Sequence, residues 1–177
     1  MKIYNVGADA DEYNFFELVN EEDWDLKSFD GTKLAELWKA FNIKCARSKK
    51  YPLGDIAYIT PVHPLINSGV VEIFKDIFNN KVESLPVLYS EPYYFINVIN
   101  IIDALDMEKS EFKRYSSGKI MYCTKYVFKE NIIGNKHIFK TPQFPTAEIL
   151  VTEEFVKRVE ENDLKGFVFE ELWDSEK

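Results

Sequence analysis

No apolar run in this chain reaches the roughly 18 residues that a membrane helix needs. The apolar residues instead fall in short stretches rich in Phe, Tyr, Val and Ile, cut every few positions by Pro, Gly, Asn or Asp. Even the longest, Tyr93 to Leu105, is broken by Asn97, Asn100 and Asp103. Such runs suit strands, because β-branched and aromatic side chains fit a pleated, half-buried surface. Val82 to Tyr89 and Tyr93 to Ile102, parted by Ser90-Glu91-Pro92, read as adjacent strands. Lys2 to Val6 (ended by Gly7), Ile43 to Arg47, Asp55 to Thr60 (stopped by Pro61 and Pro64), Lys136 to Lys140 and Phe167 to Phe169 read as further strands. Phe112 to Tyr115 and Lys119 to Phe128, joined by Ser116-Ser117-Gly118, read as a hairpin.

Three segments carry helical spacing instead. Thr32 is placed to cap a helix in which Leu34, Leu37, Trp38 and Phe41 share a face. Asn67 or Ser68 caps a second, with Val70, Val71, Phe74, Ile77 and Phe78 inward and Asn79-Asn80 at its end. Thr152 caps a third: Glu153 and Glu154 sit at its positive end, Phe155, Val156 and Val159 form its inner face, and Lys165-Gly166 closes it. The expected fold is α+β, a single domain over residues 1–177, mainly antiparallel sheet with about three amphipathic helices packed against it. A length of 177 residues with 14 Phe and 10 Tyr suffices for one sizeable core.

The formal net charge is −8, and the acid is concentrated. Between Ala8 and Asp30 lie Asp9, Asp11, Glu12, Glu17, Glu21, Glu22, Asp23, Asp25 and Asp30 against Lys27 alone. A charge run is commonly a solvated face; the sharper reading makes Asp9, Asp11, Glu12, Glu17, Glu21, Glu22, Asp23 and Asp25 a docking surface for a basic partner. Nucleic acid is a poor partner, since the one basic cluster, Arg47, Lys49 and Lys50, is short and reads as a solvated loop. Met1-Lys2-Ile3-Tyr4-Asn5-Val6, followed by Asp9 and Asp11, holds no apolar signal region, so the expected compartment is the cytoplasm and no membrane partner is expected.

Catalytic signatures are missing. There is no C-x-x-C pair, and Cys45, His63, Cys123 and His137 meet only if folding brings them together, so no metal is expected. Both histidines read as structural and both cysteines as core residues. No G-x-S-x-G elbow, P-loop or G-x-G-x-x-G turn occurs, so neither a nucleophile nor a cofactor is expected. Asp103 and Asp106, ahead of Ser110, read as a capped turn before they read as catalytic acids. Two alternatives stay open: a small carboxylate-dependent hydrolase or transferase, and a ligand-sensing module with Tyr93, Tyr94 and Phe95 lining a cavity.

Residues spread from 85 to 173 carry a family resemblance. They are Leu85-Pro86-Val87, then Tyr93-Tyr94-Phe95-Ile96-Asn97-Val98 leading to Asp103-Ala104-Leu105-Asp106 and Ser110, then His137-Ile138-Phe139-Lys140. Ile149-Leu150-Val151-Thr152-Glu153-Glu154-Phe155 follows, with Glu160, Leu164, Gly166 and Phe169 to Trp173. In these the chain resembles the bacterial polymorphic-toxin immunity proteins of immunity family eleven. The resemblance implies a non-catalytic protein that binds and neutralises a cognate bacterial toxin, and it carries over no catalytic residue. A basic, nuclease-like toxin would suit the acidic stretch, because complementary charge speeds encounter.

Overall fold

The computed structural model describes residues 1–23, 29–48 and 50–177. Twelve strands and four short α-helices are present among them, and every named strand pair is antiparallel. The α+β reading therefore holds.

One four-stranded sheet has the order β10-β11-β1-β12, from β1 (Lys2–Ala8), β10 (Ile138–Phe139), β11 (Leu150–Thr152) and β12 (Phe167–Asp174). A second has the order β4-β5-β7-β6, from β4 (Ile56–Thr60), β5 (His63–Asn67), β6 (Val82–Pro86) and β7 (Tyr93–Val98). Two-stranded pieces complete the set: β2 (Phe16–Leu18) with β3 (Ile43–Cys45), and β8 (Glu111–Arg114) with β9 (Ile120–Lys125).

The helices are α1 (Ser68–Ile73), α2 (Lys75–Phe78), α3 (Glu130–Ile133) and α4 (Glu153–Glu161). A single apolar cluster joins both large sheets to α1, α2 and α4. Val6, Ile138 and Val151 enter it from one sheet, Ile56, Ile66 and Ile96 from the other, and Phe74 and Phe155 from the helices, with ring centroids 4.2 Å apart. Asp55 braces the same junction. Its carboxylate accepts from Asn67 Nδ2 at 2.7 Å and from the Lys165 amide at 2.6 Å, while Asn67 Oδ1 caps α1 by accepting from the Val70 amide at 3.0 Å.

Several expectations need correction. No helix follows Thr32. Residues 35–37 make one turn, and Leu37 is 77% exposed. Tertiary pairing wins here because the segment's polar groups face better partners elsewhere. The Leu34 and Ala35 amides donate to Glu83 at 2.7 and 3.3 Å, Thr32 O accepts from Asn97 Nδ2 at 2.9 Å, and Trp38 Nε1 donates to Pro86 O at 2.8 Å. Beyond it the chain runs extended, with Phe41 O accepting from the Leu88 amide at 2.8 Å and Asn42 bridging Leu88. Trp38 and Phe41 are still partly buried, with their rings packed against Phe95.

β4 does end at Thr60, ahead of Pro61, but Pro64 lies inside β5, opposite Tyr58 and beside a register shift between Tyr58 and Thr60. Gly7 does not end β1, which runs on to Ala8. The helix after Asn67 breaks at Phe74 into α1 and α2. Thr152 stands at the N-cap of α4, yet its hydroxyl makes no cap and bonds His137 Nδ1 at 2.9 Å.

Tyr93 and Phe95, expected to line a cavity, serve as core. Both are buried in a cluster with Phe16 and Phe29, and Tyr93 Oη donates to Gly54 O at 2.6 Å. Asp106 and Ser110 do form a capped turn, with Asp106 Oδ1 accepting from the Glu108 and Lys109 amides at 3.1 and 3.2 Å. Asp103 accepts from Gln143 Nε2 at 3.0 Å and pairs with Lys129.

Candidate partner-binding surface

The acidic stretch leaves β1 at a close backbone crossing. Gly54 and Gly166 lie so near that a Cβ on Gly54 would sit 2.9 Å from Ile56 O and 3.1 Å from Gly166 Cα, and Gly166 has a φ of +83°. There the Asp9 amide donates to Gly166 O at 2.8 Å. The Asp9 carboxylate turns back to accept from the amides of Asp11 and Glu12 at 2.8 and 3.2 Å, so it serves the local turn. Asp11 and Glu12 are left exposed.

Arg47 holds this turn from beneath, and the solvated-loop reading of Arg47, Lys49 and Lys50 is corrected at that residue. The guanidinium donates to Ala10 O and reaches Tyr13 O at 3.5 Å, packed between the rings of Phe15 and Tyr51 at 5.1 and 4.9 Å. Buried Asn14 locks the two segments together. Its Oδ1 accepts from the Arg47 amide at 2.9 Å, and its Nδ2 donates to Arg47 O at 3.1 Å. Lys50 is exposed, and Lys49 lies outside the described residues.

Glu17 stands in β2 opposite Lys44 of β3, and the two form an exposed ion pair at 3.1 Å. A pair of this kind contributes about 0 to 1 kcal/mol but does cancel the local charge. Glu21, Glu22 and Asp23 follow in a 3-10 turn closed by the Asp23 amide on Asn20 O at 3.1 Å. All three are exposed, and like Asp11 and Glu12 they form no ion pair among the described residues. Asp25 lies outside the described residues. Of the eight proposed contact residues, five therefore present charge with no ion-pair partner among the described residues, while Asp9 and Glu17 do local work.

Residue spacing did not mark the exposed apolar residues at the Asn42 end of β2 and β3. Val19 and Leu88 are about half exposed, at 48% and 49%. Both amides bond around Asn42 or its neighbour, Val19 N to Asn42 O at 3.2 Å and Leu88 N to Phe41 O at 2.8 Å. Next to them is an open cleft of about 440 Å³ lined by Asn42, Ile43, Val87, Leu88, Tyr89 and Ser90. An apolar centre with a charged rim is the usual anatomy of a protein-binding patch. Spacing could not have shown it, because residues near 19, 42 and 88 meet only through the β2–β3 pairing and the Asn42 bridge.

The stretch is tied down again at its far end. Phe29 is buried against Phe95 at 5.6 Å, and its carbonyl accepts from Lys140 Nζ at 2.6 Å. Lys140 is 1% exposed and also donates to Pro145 O at 2.8 Å. Burial pushes its pKa down to about 8, against the opposing pull of Asp30. His63 stands beside the same ring, 4.8 Å from Phe29, with Nδ1 on Thr60 Oγ1 at 2.6 Å. Burial and then the Lys140 charge lower the His63 pKa to about 4, which leaves the imidazole neutral at pH 7. Both groups are structural pins of the acidic stretch. Lys140 could have been suspected from its place directly after the apolar pair Ile138-Phe139.

No group of three or more His, Cys, Asp or Glu side chains among the described residues is placed to hold a metal ion. Cys45 and Cys123 are both free thiols; Cys45 meets Tyr89 Oη at 3.2 Å, and Cys123 donates to Lys125 O at 3.2 Å. No helix among the described residues is long and apolar enough to cross a membrane.

Comparison with known proteins adds one positive finding. Residues 87–174 match the family model described as Immunity protein family (Imm11), the family that the sequence resemblance indicated. No curated protein matches the chain. The matched span begins at Val87 on the edge of the cleft and contains Lys140, whereas the acidic residues all precede it.

Proposed function

We propose that this chain, whose residues 87–174 belong to the immunity protein family Imm11, binds a toxin protein in the cytoplasm and neutralises it by occupancy without turning over a substrate. The family match carries the proposal. It is supported by the exposed Asp11, Glu12, Glu21, Glu22 and Asp23, which form no ion pair among the described residues, and by the exposed Val19 and Leu88, whose segments meet at Asn42 just ahead of Glu21 to Asp23. Such a face suits a basic toxin, because acidic potential raises the rate of encounter and a desolvated apolar centre slows departure.

The test is co-expression with the product of the adjacent reading frame. Rescue of growth, with a co-purifying complex, is expected; absence of both refutes the immunity reading. For the face itself, Glu22→Gln with Asp23→Asn should slow association severalfold and flatten its dependence on salt. Unchanged kinetics would remove this face from the interface.

A further inference from the structure

The hairpin of β8 and β9 has properties that the acidic face does not explain. It forms its own two-stranded sheet, and no other described strand pairs with it. A two-stranded ribbon is marginal by itself, so it needs a clamp at its base. The clamp is present. Asp106 N donates to Val127 O at 2.8 Å, Ser110 Oγ donates to the same carbonyl at 3.2 Å, and Val127 N donates back to Ser110 Oγ at 3.0 Å. Phe112 packs into the cluster of Leu105, Phe128 and Phe139, and Cys123, its partner in register, is buried.

Beyond that base the arm is exposed and chemically distinct. Between residues 111 and 125 it carries Lys113, Arg114, Lys119 and Lys125 against Glu111 alone, in a chain whose net charge is −8. Lys125 is paired with Glu111 at 3.5 Å, and Arg114 folds back onto Gly118 O at 3.0 Å. Lys113 and Lys119 make no ion pair among the described residues. Lys113 stands opposite Tyr122 in the register, and Tyr122 is 50% exposed. Tyr115 at the turn and Met121 on β9 are exposed as well. Tyr, Met and cationic side chains on a rigidly based projection have the composition of an interface anchor.

We infer that the β8–β9 arm is a second docking element, and that it takes an acidic protein surface with an apolar hollow, on the same toxin partner. The occupant follows from charge: the arm is a basic feature of an acidic molecule, so it selects a localised acidic patch, and the carboxylates elsewhere on the chain disfavour a long polyanion. The inference rests on the immunity reading. It makes the partner bipolar, with a basic region for the acidic face and an acidic one for the arm.

The test uses the full chain and the purified product of the adjacent reading frame. Tyr122→Ser, and separately Lys113→Glu with Lys119→Glu, should each weaken binding at least tenfold, and the charge-reversed variant should lose much of the salt dependence. All three substitutions fall outside the base, so melting temperatures should match the wild type; Lys113→Arg with Lys119→Arg should keep full affinity. Wild-type binding that the folded arm variants retain overturns the arm assignment alone. Failure of the wild-type chain to bind overturns the immunity reading and the arm's partner together. A short DNA duplex that binds the arm and displaces the toxin, or a dimer of the free chain abolished by Tyr122→Ser, overturns the assignment of a toxin surface to the arm.

Discussion

Replacing Lys140 with Met should remove a pH dependence of stability that this lysine alone imposes. Its amine is 1% exposed and donates to Phe29 O and Pro145 O at 2.6 and 2.8 Å, and burial brings its pKa down to about 8 from an ordinary 10.5. Below pH 8 the folded and unfolded chains both hold the proton, and the folded state bears the cost of a buried cation. At about 1.4 kcal/mol per pH unit, the gap between folded and unfolded pKa makes that cost about 3 kcal/mol. Between about pH 8 and 10.5 the unfolded chain keeps a proton that the folded chain has released, so the contribution of Lys140 to stability rises with pH. From pH 7 to pH 9 the relief is about 1 kcal/mol. The Met variant also strips the carbonyls of Phe29 and Pro145 of a donor, a loss of about 1 to 3 kcal/mol that does not vary with pH. The informative quantity is therefore a double difference: urea unfolding of both proteins at pH 7 and pH 9. The wild type should gain about 1 kcal/mol on the variant at the higher pH. His63, held at about 4, does not titrate in this window. A gap that stays constant, or moves the other way, refutes the argument that Lys140 is buried as a cation.

Three further outcomes follow from the same packing. His63→Leu should lose less stability than the wild type between pH 7 and pH 5, because the folded His63 pKa of about 4 lies below its unfolded value and acid therefore favours the unfolded wild type; thermal melts across that range measure it. Glu83→Ala removes the acceptor for the Leu34 and Ala35 amides and Asn97 Nδ2, and should cost about 2 kcal/mol in denaturant unfolding while speeding hydrogen exchange at those two amides. Phe95→Ala empties the site where the rings of Phe29, Trp38 and Phe41 converge, and should cost about 3 to 5 kcal/mol by the same measurement.

Local pattern was informative wherever one element satisfies itself. The strand pair Val82–Pro86 and Tyr93–Val98, the Gly118 hairpin, the Asn67 cap and the Thr152–Glu153–Glu154 start of α4 were all legible, because their spacing and turn residues act over a few positions. The stretch after Thr32 shows the limit. Its apolar spacing is helical, but Glu83, Asn97, Pro86 and Leu88 supply hydrogen-bond partners from about 50 or more residues away, and those bonds set its backbone.

The candidate surfaces divide in the same way. Composition alone marked the acidic stretch and a resemblance alone marked the family, since charge and residue identity are properties of the chain. Which carboxylates stay uncompensated depended on Lys44 reaching Glu17 and on the Asp9 turn. The Val19 and Leu88 patch and the basic arm's rigid base depended on contacts between distant segments. Burial and pairing are relations between residues that only the closed tertiary structure creates, and for that reason the binding surface had to be found in space.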